Sequence, residues 1–226
     1  WKPMIRDGIF LVDKPAGWTS FDVVNKIRFQ VAKERDKKPR NIKVGHTGTL
    51  DPFATGLLVI LIGKEYTRQA AKLSKLDKIY ETTIIIGKNS STGDSDGKIT
   101  DVNNYQPSTE DIRNVLSKFT GEISQTPHAF SAIKINGKRA YDLARKGEDV
   151  DIPARKVNIY SIELISYDYP KLNICIHVSS GTYIRSLAED IGKELGTGAY
   201  CKELRRTKIG SFDIIKADTL LNKVVE

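Results

Sequence analysis

The sequence contains few of the residues that build disulfide scaffolds, metal centres and membrane spans. Its 226 residues include only two cysteines, Cys175 and Cys201, and three histidines. Two cysteines cannot form a disulfide framework or a four-cysteine zinc site, and the histidines have no metal-ligand spacing relative to them. The longest unbroken aliphatic run, residues 57–62, is far shorter than the ~20 residues that span a bilayer. We therefore expect neither a structural metal nor a transmembrane helix.

The N-terminal sequence and the cysteine content both bear on location. No positively charged segment followed by an apolar stretch opens the chain, so the sequence predicts no secretory signal. Two cysteines allow one disulfide, but they fit a reducing cytoplasm better. Because the chain begins with Trp1 rather than methionine, an organelle is the alternative to the cytoplasmic location that we expect.

Composition and charge indicate a folded, basic protein. Hydrophobic residues make up 39% and charged residues 28%, with 8 prolines and 17 glycines, which excludes disorder, collagen and low complexity as overall descriptions. At roughly 100–200 residues per domain, the length allows one large domain or two small ones. The net charge of +8 favours an anionic partner, nucleic acid first, although a basic protein without such a partner has the same value.

Hydrophobic periodicity and cap residues predict alternating strands and helices. A helix over 20–32 begins after Thr19, which has capping-box spacing to Asp22, and it carries apolar residues at 21, 24, 27, 29 and 31. A helix capped by Ser108 and Asp111 extends to about residue 119. The other predicted elements are strands over 8–13, 57–62 and 79–87, a pair of strands over 157–167 and 172–179 that meet near Pro170, a strand and turn over 200–212, and helices over 65–75 and within 181–196. Without a repeat or a Ser/Gly linker, one α/β domain is the simplest organisation.

Basic residues cluster in three places. Residues 33–43 contain six basic and two acidic residues, which predicts a solvated loop. Residues 127–147 contain five basic residues and one acid, with Phe130 and Tyr141 among them, and we interpret 127–156 as a basic insertion. The third cluster is Lys202, Arg205, Arg206 and Lys208. Such clusters are solvated faces or phosphate contacts, and composition alone leaves both open.

Residues 44–56 (VGHTGTLDPFATG) consist of glycines and small polar residues that cannot pack a face of the core, so we predict a shaped loop. Asp51 precedes Pro52, which is typical of a helix N-cap with proline at the first helical position. Gly56 and a strand-like run follow, which leaves room for about one helical turn. The alternative is a catalytic carboxylate on a loop at the mouth of a strand. The pattern leaves both open.

Residues 45–56 (GHTGTLDPFATG) resemble the catalytic loop of the TruB family of tRNA pseudouridine synthases. Further segments resemble motifs of this family in the same order, and together they cover about residues 8–212. They are LVDKP at 11–15 with Gly17 and Ser20, KIY at 78–80, SAIK at 131–134 with Gly137, Tyr141 and Arg145, GTYIR at 181–185, and LRR at 204–206.

The resemblance implies the pseudouridine synthase fold, with a central, mainly antiparallel mixed sheet flanked by helices, as one catalytic domain over 1–226. Such an enzyme is an isomerase that breaks the N-glycosidic bond of a uridine, turns the detached base and rejoins it to the ribose through C5. Because every atom is retained, no cofactor or metal is implied. The implied substrate is the T arm of tRNA, with its uridine at position 55, recognised by the shape of a folded loop. We expect a monomer without an obligate protein partner.

The resemblance also assigns catalytic residues. Asp51 is the essential carboxylate, and attack on the ribose, attack on the base and initial proton abstraction all remain open. Arg185 would hold Asp51 as the anion, and Asp94 would join the same charge network. In isolation, Arg185 would be interpreted as a surface arginine of a helix and Asp94 as a turn residue.

Substrate contacts follow from the same matches. Tyr80, which the resemblance counts as catalytic together with Asp51, Arg185 and Asp94, would stack on the flipped target base. His46 would fill the gap that the base leaves, and Tyr183 and Leu204 would line the uracil pocket. The remaining assigned substrate contacts, including phosphate contacts, are Lys14, Thr49, Lys134, Tyr141, Arg145, Arg205 and Arg206. Alone, Tyr80 would be a half-buried strand tyrosine.

The chain departs from the family pattern at three points. It ends at Glu226, without room for the C-terminal PUA domain of many bacterial members, so we expect no such domain. Ser91 stands where the family usually has aspartate. The basic segment 33–43 is longer than in compact members and is either an additional phosphate contact or a tolerated loop insertion.

Overall fold

The computed structural model of the chain describes residues 5–128, 134–135, 137–140 and 152–217. These residues form two compact units. The first unit combines the chain up to Tyr80 with the segment from Leu204 onward, and the second comprises Glu81–Glu203. The division falls within two long strands, which therefore contribute residues to each unit.

The first unit is built on a three-stranded arrangement with helices beside it. Strand β3 (Thr55–Ile62) is central. Strand β1 (Gly8–Lys14) pairs with it antiparallel from Gly8↔Ile62 to Lys14↔Gly56, and β12 (Ala199–Ile209) pairs with it in parallel at Arg206↔Gly56. Its elements are β1 (Gly8–Lys14), α1 (Ser20–Glu34), β2 (Val44–His46), β3 (Thr55–Ile62), α2 (Lys64–Thr67), α3 (Ala70–Leu73), the start of β4 (Lys78–Ile86), the end of β12 (Ala199–Ile209) and β13 (Phe212–Asp213), with 3-10 turns at Pro39–Asn41 and Ile214–Lys216.

Strand β3 is apolar on both sides because both of its faces are covered. One face packs with α1 through Val12, Leu58, Ile60, Val24 and Ile27. The other packs Leu57, Val59 and Leu61 against Ile209 and residues of α2 and α3. The predicted capping box of α1 is confirmed, since the Thr19 hydroxyl accepts from the Asp22 amide and the Asp22 carboxylate accepts from the Thr19 amide. Phe21 and Phe29 were expected on the apolar face of α1, but they are 61% and 62% exposed, and Val23 is buried instead.

The second unit has a sheet in the order β12-β4-β11-β10-β7. Strands β10 (Arg155–Asp168) and β11 (Lys171–Val178) form the predicted pair on either side of Pro170. They are antiparallel, from Ile159↔Val178 to Asp168↔Lys171, and β7 (Gly121–Gln125) pairs antiparallel with β10. Helix α4 packs against β10 and α5. The elements are the remainder of β4, β5 (Lys88–Ser90), β6 (Ile99–Asp101), α4 (Thr109–Lys118), β7 (Gly121–Gln125), β8 (Lys134–Ile135), β9 (Lys138–Arg139), β10 (Arg155–Asp168), β11 (Lys171–Val178), α5 (Ile184–Glu194) and the start of β12.

The predicted mixed α/β architecture, with mainly antiparallel strands flanked by helices, is confirmed. Two local predictions differ from the structure. The helix expected over 65–75 is split into α2 and α3, because Gln69 has a ψ of −7° and its amide donates to Tyr66 three residues back. The loop expected over 88–97 begins with β5, which pairs with β6.

Candidate active site

Asp51 lies in the first unit, on the loop that joins β2 to β3. The residues after it form a bend, closed by the Ala54 amide donating to the Asp51 carbonyl at 3.1 Å, and β3 begins at Thr55. No helix starts at Asp51 within this described segment, so the N-cap alternative is wrong. The half-buried Asp51 side chain is therefore presented by a loop.

The start of α1 holds the residue before Asp51. The Ser20 hydroxyl accepts a hydrogen bond from the Leu50 amide at 2.8 Å and donates to the Leu50 carbonyl at 3.2 Å. The Gly17 amide donates to the Pro52 carbonyl at 2.8 Å. Residues on both sides of Asp51 are thus fixed by the segment that precedes and begins α1, which explains why Gly17 and Ser20 accompany the LVDKP sequence.

Lys14 is buried beneath the same loop. Its side chain is fully buried, and its Nζ donates to the carbonyls of Pro15, Trp18 and Pro52 at 2.9, 2.7 and 3.3 Å. Burial lowers the pKa of Lys14 to about 8, and the charge of Asp51 partly opposes that shift. The ammonium group keeps its charge at neutral pH, and its attraction to Asp51 favours the carboxylate over the carboxylic acid.

Arg206 supports the other side of the loop. It is 1% exposed, and its guanidinium donates to the carbonyls of Leu57, Gly48 and Thr49 at 2.8, 3.0 and 3.4 Å. The expectation that Arg206 contacts phosphates does not agree with this burial, because its donors are directed at the chain itself. The close pairing of β12 with β3 also requires Gly56, whose φ is +103° and whose added Cβ would lie 2.3 Å from the Arg206 carbonyl oxygen.

His46 is the last residue of β2, and Thr49 lies within the loop that follows it. The Nδ1 atom of His46 accepts from the Gly48 amide at 3.2 Å, so its neutral ring carries the proton on Nε2. Burial, and secondly the charge of Arg206, lower the pKa of His46 and keep the ring neutral at pH 7. Thr49 is exposed. His46, Thr49, Asp51, Lys14 and Arg206 are therefore brought together in the first unit.

Arg205 points away from Arg206, as adjacent residues of a strand must. Its guanidinium binds the Asp13 carboxylate with two hydrogen bonds, at 3.0 and 2.6 Å. The pair is partly exposed, with 40% of the Arg205 side chain accessible. The two predicted arginines thus have different environments, and of the two it is Arg205 that has an accessible guanidinium.

Tyr80 and Leu204 are buried strand residues of the first unit, 8% and 7% exposed. Two-residue periodicity puts Tyr80 on the face of β4 that carries Lys78, and Leu204 on the face of β12 that carries Arg206. Burial, and secondly the charge of Arg206, lower the pKa of Lys78 to about 8. Lys78 donates to the Ser74 and Leu76 carbonyls at 2.6 and 2.5 Å.

In the second unit, Arg185 and Asp94 form a buried ion pair. The Arg185 Nη1 lies 3.1 Å from Oδ2 of Asp94, with side chains 4% and 8% exposed. The same nitrogen donates to the Thr92 carbonyl at 2.9 Å. The other oxygen of Asp94 accepts from the Thr92 hydroxyl at 2.6 Å and the Asp96 amide at 3.0 Å. Both oxygens of Asp94 are thus bonded, which fixes the orientation of the pair.

Tyr183 precedes α5 and is held by a residue that the sequence did not single out. Gln125 is fully buried, accepts from the Tyr183 amide at 2.8 Å and donates to its carbonyl at 3.0 Å. The guanidinium of Arg155 lies 4.9 Å from the centre of the Tyr183 ring, a cation–π geometry. A glutamine at the end of a strand has no sequence signature, so neither contact could be predicted.

For several predicted site residues, the described part of the structure gives no side-chain environment. Tyr141 and Arg145 are not among the described residues, and for Lys134 only the backbone, in β8, is described. Asp51 belongs to the first unit and Arg185 to the second, and their pairing stays a prediction. Within the described ranges, no group of three or more His, Cys, Asp and Glu side chains could hold a metal ion. Those ranges also contain no helix with the length and apolarity needed to cross a membrane.

Comparison with known families identifies the chain. A family model described as TruB family pseudouridylate synthase (N terminal domain) matches residues 35–184, more than half of the sequence. The chain belongs to this family. A second TruB model, described as the tRNA pseudouridylate synthase B C-terminal domain, matches residues 185–225. A pseudouridine synthase rearranges a nucleoside without changing its composition, so this TruB family member is an isomerase.

Individual relatives and solved structures agree with this assignment. The chain is 44% identical over 216 residues to the tRNA pseudouridine synthase B of Aquifex aeolicus (strain VF5), which covers 95% of this chain and 72% of that protein. It is 46% identical over 210 residues to the tRNA pseudouridine synthase B of Endomicrobium trichonymphae, with 92% and 87% covered.

The fold is also similar to that of two solved complexes. The first is a Cbf5-Nop10-Gar1 complex, with a TM-score of 0.68 and 28% identity, covering 93% of this chain and 51% of that one. The second is an archaeal box H/ACA sRNP Nop10-Cbf5 complex, with a TM-score of 0.66 and 28% identity, covering 98% and 54%. This chain thus spans about half the length of those solved chains, and the predicted pseudouridine synthase fold is confirmed.

Proposed function

We propose that this TruB family member converts uridine 55, in the T loop of tRNA, to pseudouridine, with Asp51 as the nucleophile and without a cofactor. The observation that carries the proposal is the support of the Asp51 loop. A single carboxylate stands on a loop whose flanking residues are fixed by Ser20, Lys14 and Arg206. The tRNA pseudouridine synthase B relatives support tRNA as the substrate.

The reaction conserves every atom of the uridine. The bond between N1 of the base and C1′ of the ribose breaks, the base turns, and a new bond forms between C5 and C1′. C5 loses its proton to solvent and N1 gains one, so the product is an isomer of the substrate. A positioned carboxylate can form a covalent intermediate that divides this exchange into two smaller steps. We assign that step to Asp51.

The proposed charge arrangement keeps Asp51 ionised. Lys14 attracts the carboxylate from within the same unit, since the charge of Asp51 acts to raise the pKa of Lys14 against the larger, lowering effect of burial. We assign Arg185 to hold the carboxylate in its attacking orientation and Asp94 to hold Arg185. The buried contact between Arg185 and Asp94 supports the second part of this assignment. A positioning role of this kind needs a guanidinium that is fixed by both charge and hydrogen bonds. Arg185 meets this requirement, because it donates to the Asp94 carboxylate and to the Thr92 carbonyl.

The remaining residues are assigned by the family motifs that they match, and Thr49, Arg205, Lys14 and Arg206 also by their environments. Tyr80 stacks on the flipped base, and Leu204 and Tyr183 line the uracil pocket. His46 fills the gap left in the RNA, and Thr49 and Arg205 contact the strand, since Thr49 is exposed and the Arg205 guanidinium is partly accessible. Lys14 and Arg206 are assigned to position the loop, because their donors point to carbonyl groups. Residues 127–156 clamp the RNA. The enzyme works as a monomer in the cytoplasm.

The test measures both the product and the target. Unmodified tRNA transcript labelled with tritium at C5 of uridine is incubated with the enzyme, and released tritium and nucleosides are quantified. Release of tritium with formation of one pseudouridine, abolished when position 55 is cytidine, is the expected result. Free uracil would instead indicate a glycosylase. RNA binding with no tritium release and no new nucleoside would indicate an RNA-binding protein without this activity and would overturn the proposal.

A further inference from the structure

A groove of about 620 Å³ lies beside α1 and is lined by none of the residues assigned to the reaction. One wall is the middle of α1, and the other is the segment around the 3-10 turn at 39–41 together with the start of β2. The residues that matter for its chemistry are Asn25, Arg28, Phe29, Arg40, Lys43 and Val44. This wall includes Pro39, Arg40, Ile42 and Lys43 of the basic segment 33–43, to which the assigned function gives no role.

The groove is cationic. Three of its lining residues are basic and none is acidic. The Arg28 guanidinium is held at 2.8 Å by Oδ1 of Asn25 and at 3.3 Å by the Val44 carbonyl, both of which are neutral acceptors. Arg40 and Lys43 are exposed, and neither forms an ion pair with a carboxylate of the described ranges. The nearby Glu34 already accepts from the Ile5 amide and from Gln30. The positive charge of the groove is therefore available to an anion.

An aromatic ring stands at the same place. Phe29 is 62% exposed, although it belongs to a helix whose buried face is well filled by Val24, Ile27 and Val31. An exposed phenylalanine keeps a large apolar surface in water, which a ligand with a flat apolar face would cover. Cationic groups beside an exposed aromatic ring are the combination that binds a nucleic-acid strand, phosphate on the charges and base on the ring.

The groove is close to the Asp51 loop within the same unit. Asn25 follows Ser20 by five residues of α1, about 7–8 Å along the helix axis. Ser20 in turn hydrogen-bonds to Leu50, the neighbour of Asp51. Helix α1 therefore supports the Asp51 loop through its own first residue, Ser20, and lines the groove one to three turns further along. The groove therefore begins within about two helical turns of the residue that holds the Asp51 loop.

We propose that this groove binds the substrate RNA next to its target loop, with a phosphate held by Arg28, Arg40 and Lys43 and an unstacked base placed on Phe29. The inference rests on the proposed function for the identity of the RNA. Charge complementarity and continuity with the Asp51 loop favour RNA over an acidic protein segment as the occupant. The groove adds affinity and takes no part in the chemical step.

The test uses paired variants with matched controls. Arg40→Gln/Lys43→Gln removes two charges from the groove, and Lys72→Gln/Lys75→Gln removes two exposed charges elsewhere in the unit. Phe29→Ala removes the ring from the groove, and Phe21→Ala removes an equally exposed phenylalanine of the same helix that does not line the groove. The Kd for unmodified tRNA is measured over a range of salt concentrations, and pseudouridine formation is measured with enzyme in saturating excess.

The groove charge variant should lower the slope of log affinity against log salt by about 1, the change expected for the loss of one phosphate contact. Phe29→Ala should weaken binding about tenfold, as expected for one lost stacking contact. Both groove variants should keep the wild-type rate at saturation. Groove variants that bind tRNA no differently from their controls would overturn the proposal. Wild-type protein that binds tRNA through the groove but forms no pseudouridine would leave the groove in place and refute the proposed function, so the two failures are distinct.

Discussion

Arg206 connects the two ends of the loop that carries Asp51. Its Nε donates to the Leu57 carbonyl at the start of β3, and its Nη2 donates to the Gly48 carbonyl on the other side of Asp51. A buried guanidinium with several carbonyl acceptors is a rigid brace, because its donors are fixed in one plane. The geometry of Asp51 therefore depends on a residue of a distant part of the sequence.

Replacing Arg206 should damage both stability and rate. Arg206→Met leaves the carbonyls of Gly48, Thr49 and Leu57 without their donor, and each buried unsatisfied group costs about 1–3 kcal/mol. We expect a loss of about 3 kcal/mol or more in the free energy of unfolding. At a temperature where the variant is folded, the rate at saturating tRNA should fall more than the affinity, since the loop that carries the nucleophile is displaced.

Arg205→Met is the matched control for that experiment. Arg205 is the preceding residue of β12, but its ion pair with Asp13 is partly exposed, and such pairs contribute about 0–1 kcal/mol. Urea unfolding and single-turnover kinetics on both variants make the comparison. Equal losses of stability in the two variants would contradict the bracing role of Arg206.

Gly56 should tolerate no side chain. Alanine there would place a Cβ 2.3 Å from the backbone oxygen of Arg206, in a residue with a φ of +103°. Backbone strain of this kind costs about 1–3 kcal/mol before the clash is counted. Gly17→Ala is the control, because Gly17 also has a positive φ, +80°, but nothing lies within 4 Å of its added Cβ. Thermal unfolding should show a much larger loss for Gly56→Ala, and similar losses would refute the steric explanation.

The buried ion pair between Asp94 and Arg185 should contribute more to the free energy of unfolding than an exposed ion pair does. Asp94→Asn removes the negative charge beside a buried guanidinium while nearly preserving shape, and breaking a buried pair in this way costs about 3–5 kcal/mol at most. Asp96→Asn, at an exposed position two residues later, should change the free energy of unfolding by less than about 0.5 kcal/mol. Equal stability of the Asp94→Asn and Asp96→Asn variants would show that the pair contributes nothing.

Lys78 should leave a signature in the pH dependence of stability. Its pKa in the folded chain is about 8, below the ordinary value of 10.5, because burial disfavours the charged form. Between pH 8 and 10.5 the unfolded chain therefore binds more protons at this position than the folded chain. Stability contributed by this group rises with pH over that window. The free energy of unfolding of Lys78→Met, minus that of wild type, should therefore be larger at pH 7 than at pH 10.

The measurement is urea unfolding of wild type and Lys78→Met at pH 7, 8, 9 and 10. Other titrating groups are common to both proteins and cancel in the difference between them. Lys75→Met, which changes an exposed lysine nearby, serves as the control. If the two proteins differ in free energy of unfolding by the same amount at pH 7 and at pH 10, burial does not lower the pKa of Lys78 and the prediction is wrong.

Local signals in the sequence predicted much of the fold. The capping boxes at Thr19–Asp22 and Ser108–Asp111 fixed the starts of two helices, and both are confirmed. The apolar run at 57–62 predicted a buried strand, which is the centre of the first unit. Periodicity was misleading at Phe29, which was expected to be buried and is exposed. An apolar residue in a helical pattern does not show by itself whether another part of the chain covers it.

The supports of the loop could be predicted only in part. Lys14, Gly17 and Ser20 stood out through a family resemblance, but their actual contacts, with Pro52 and Leu50, join residues some 30 or more positions apart in sequence. The burial of Arg206 was not predictable, since the strand predicted over 200–212 puts Arg205 and Arg206 on opposite faces but does not show which face is covered. Gln125 had no signal at all, because its role consists of two hydrogen bonds to the backbone of Tyr183.

The most direct test of the account is the single-turnover rate of pseudouridine formation by Asp51→Asn. Asparagine keeps the shape of the side chain but is not a nucleophile, so we predict a rate lower by at least about three orders of magnitude. The Kd for tRNA and the urea midpoint should stay near those of wild type and of Asp36→Asn, an exposed control. An Asp51→Asn enzyme that forms pseudouridine at the wild-type rate would contradict the assignment of Asp51 as the nucleophile.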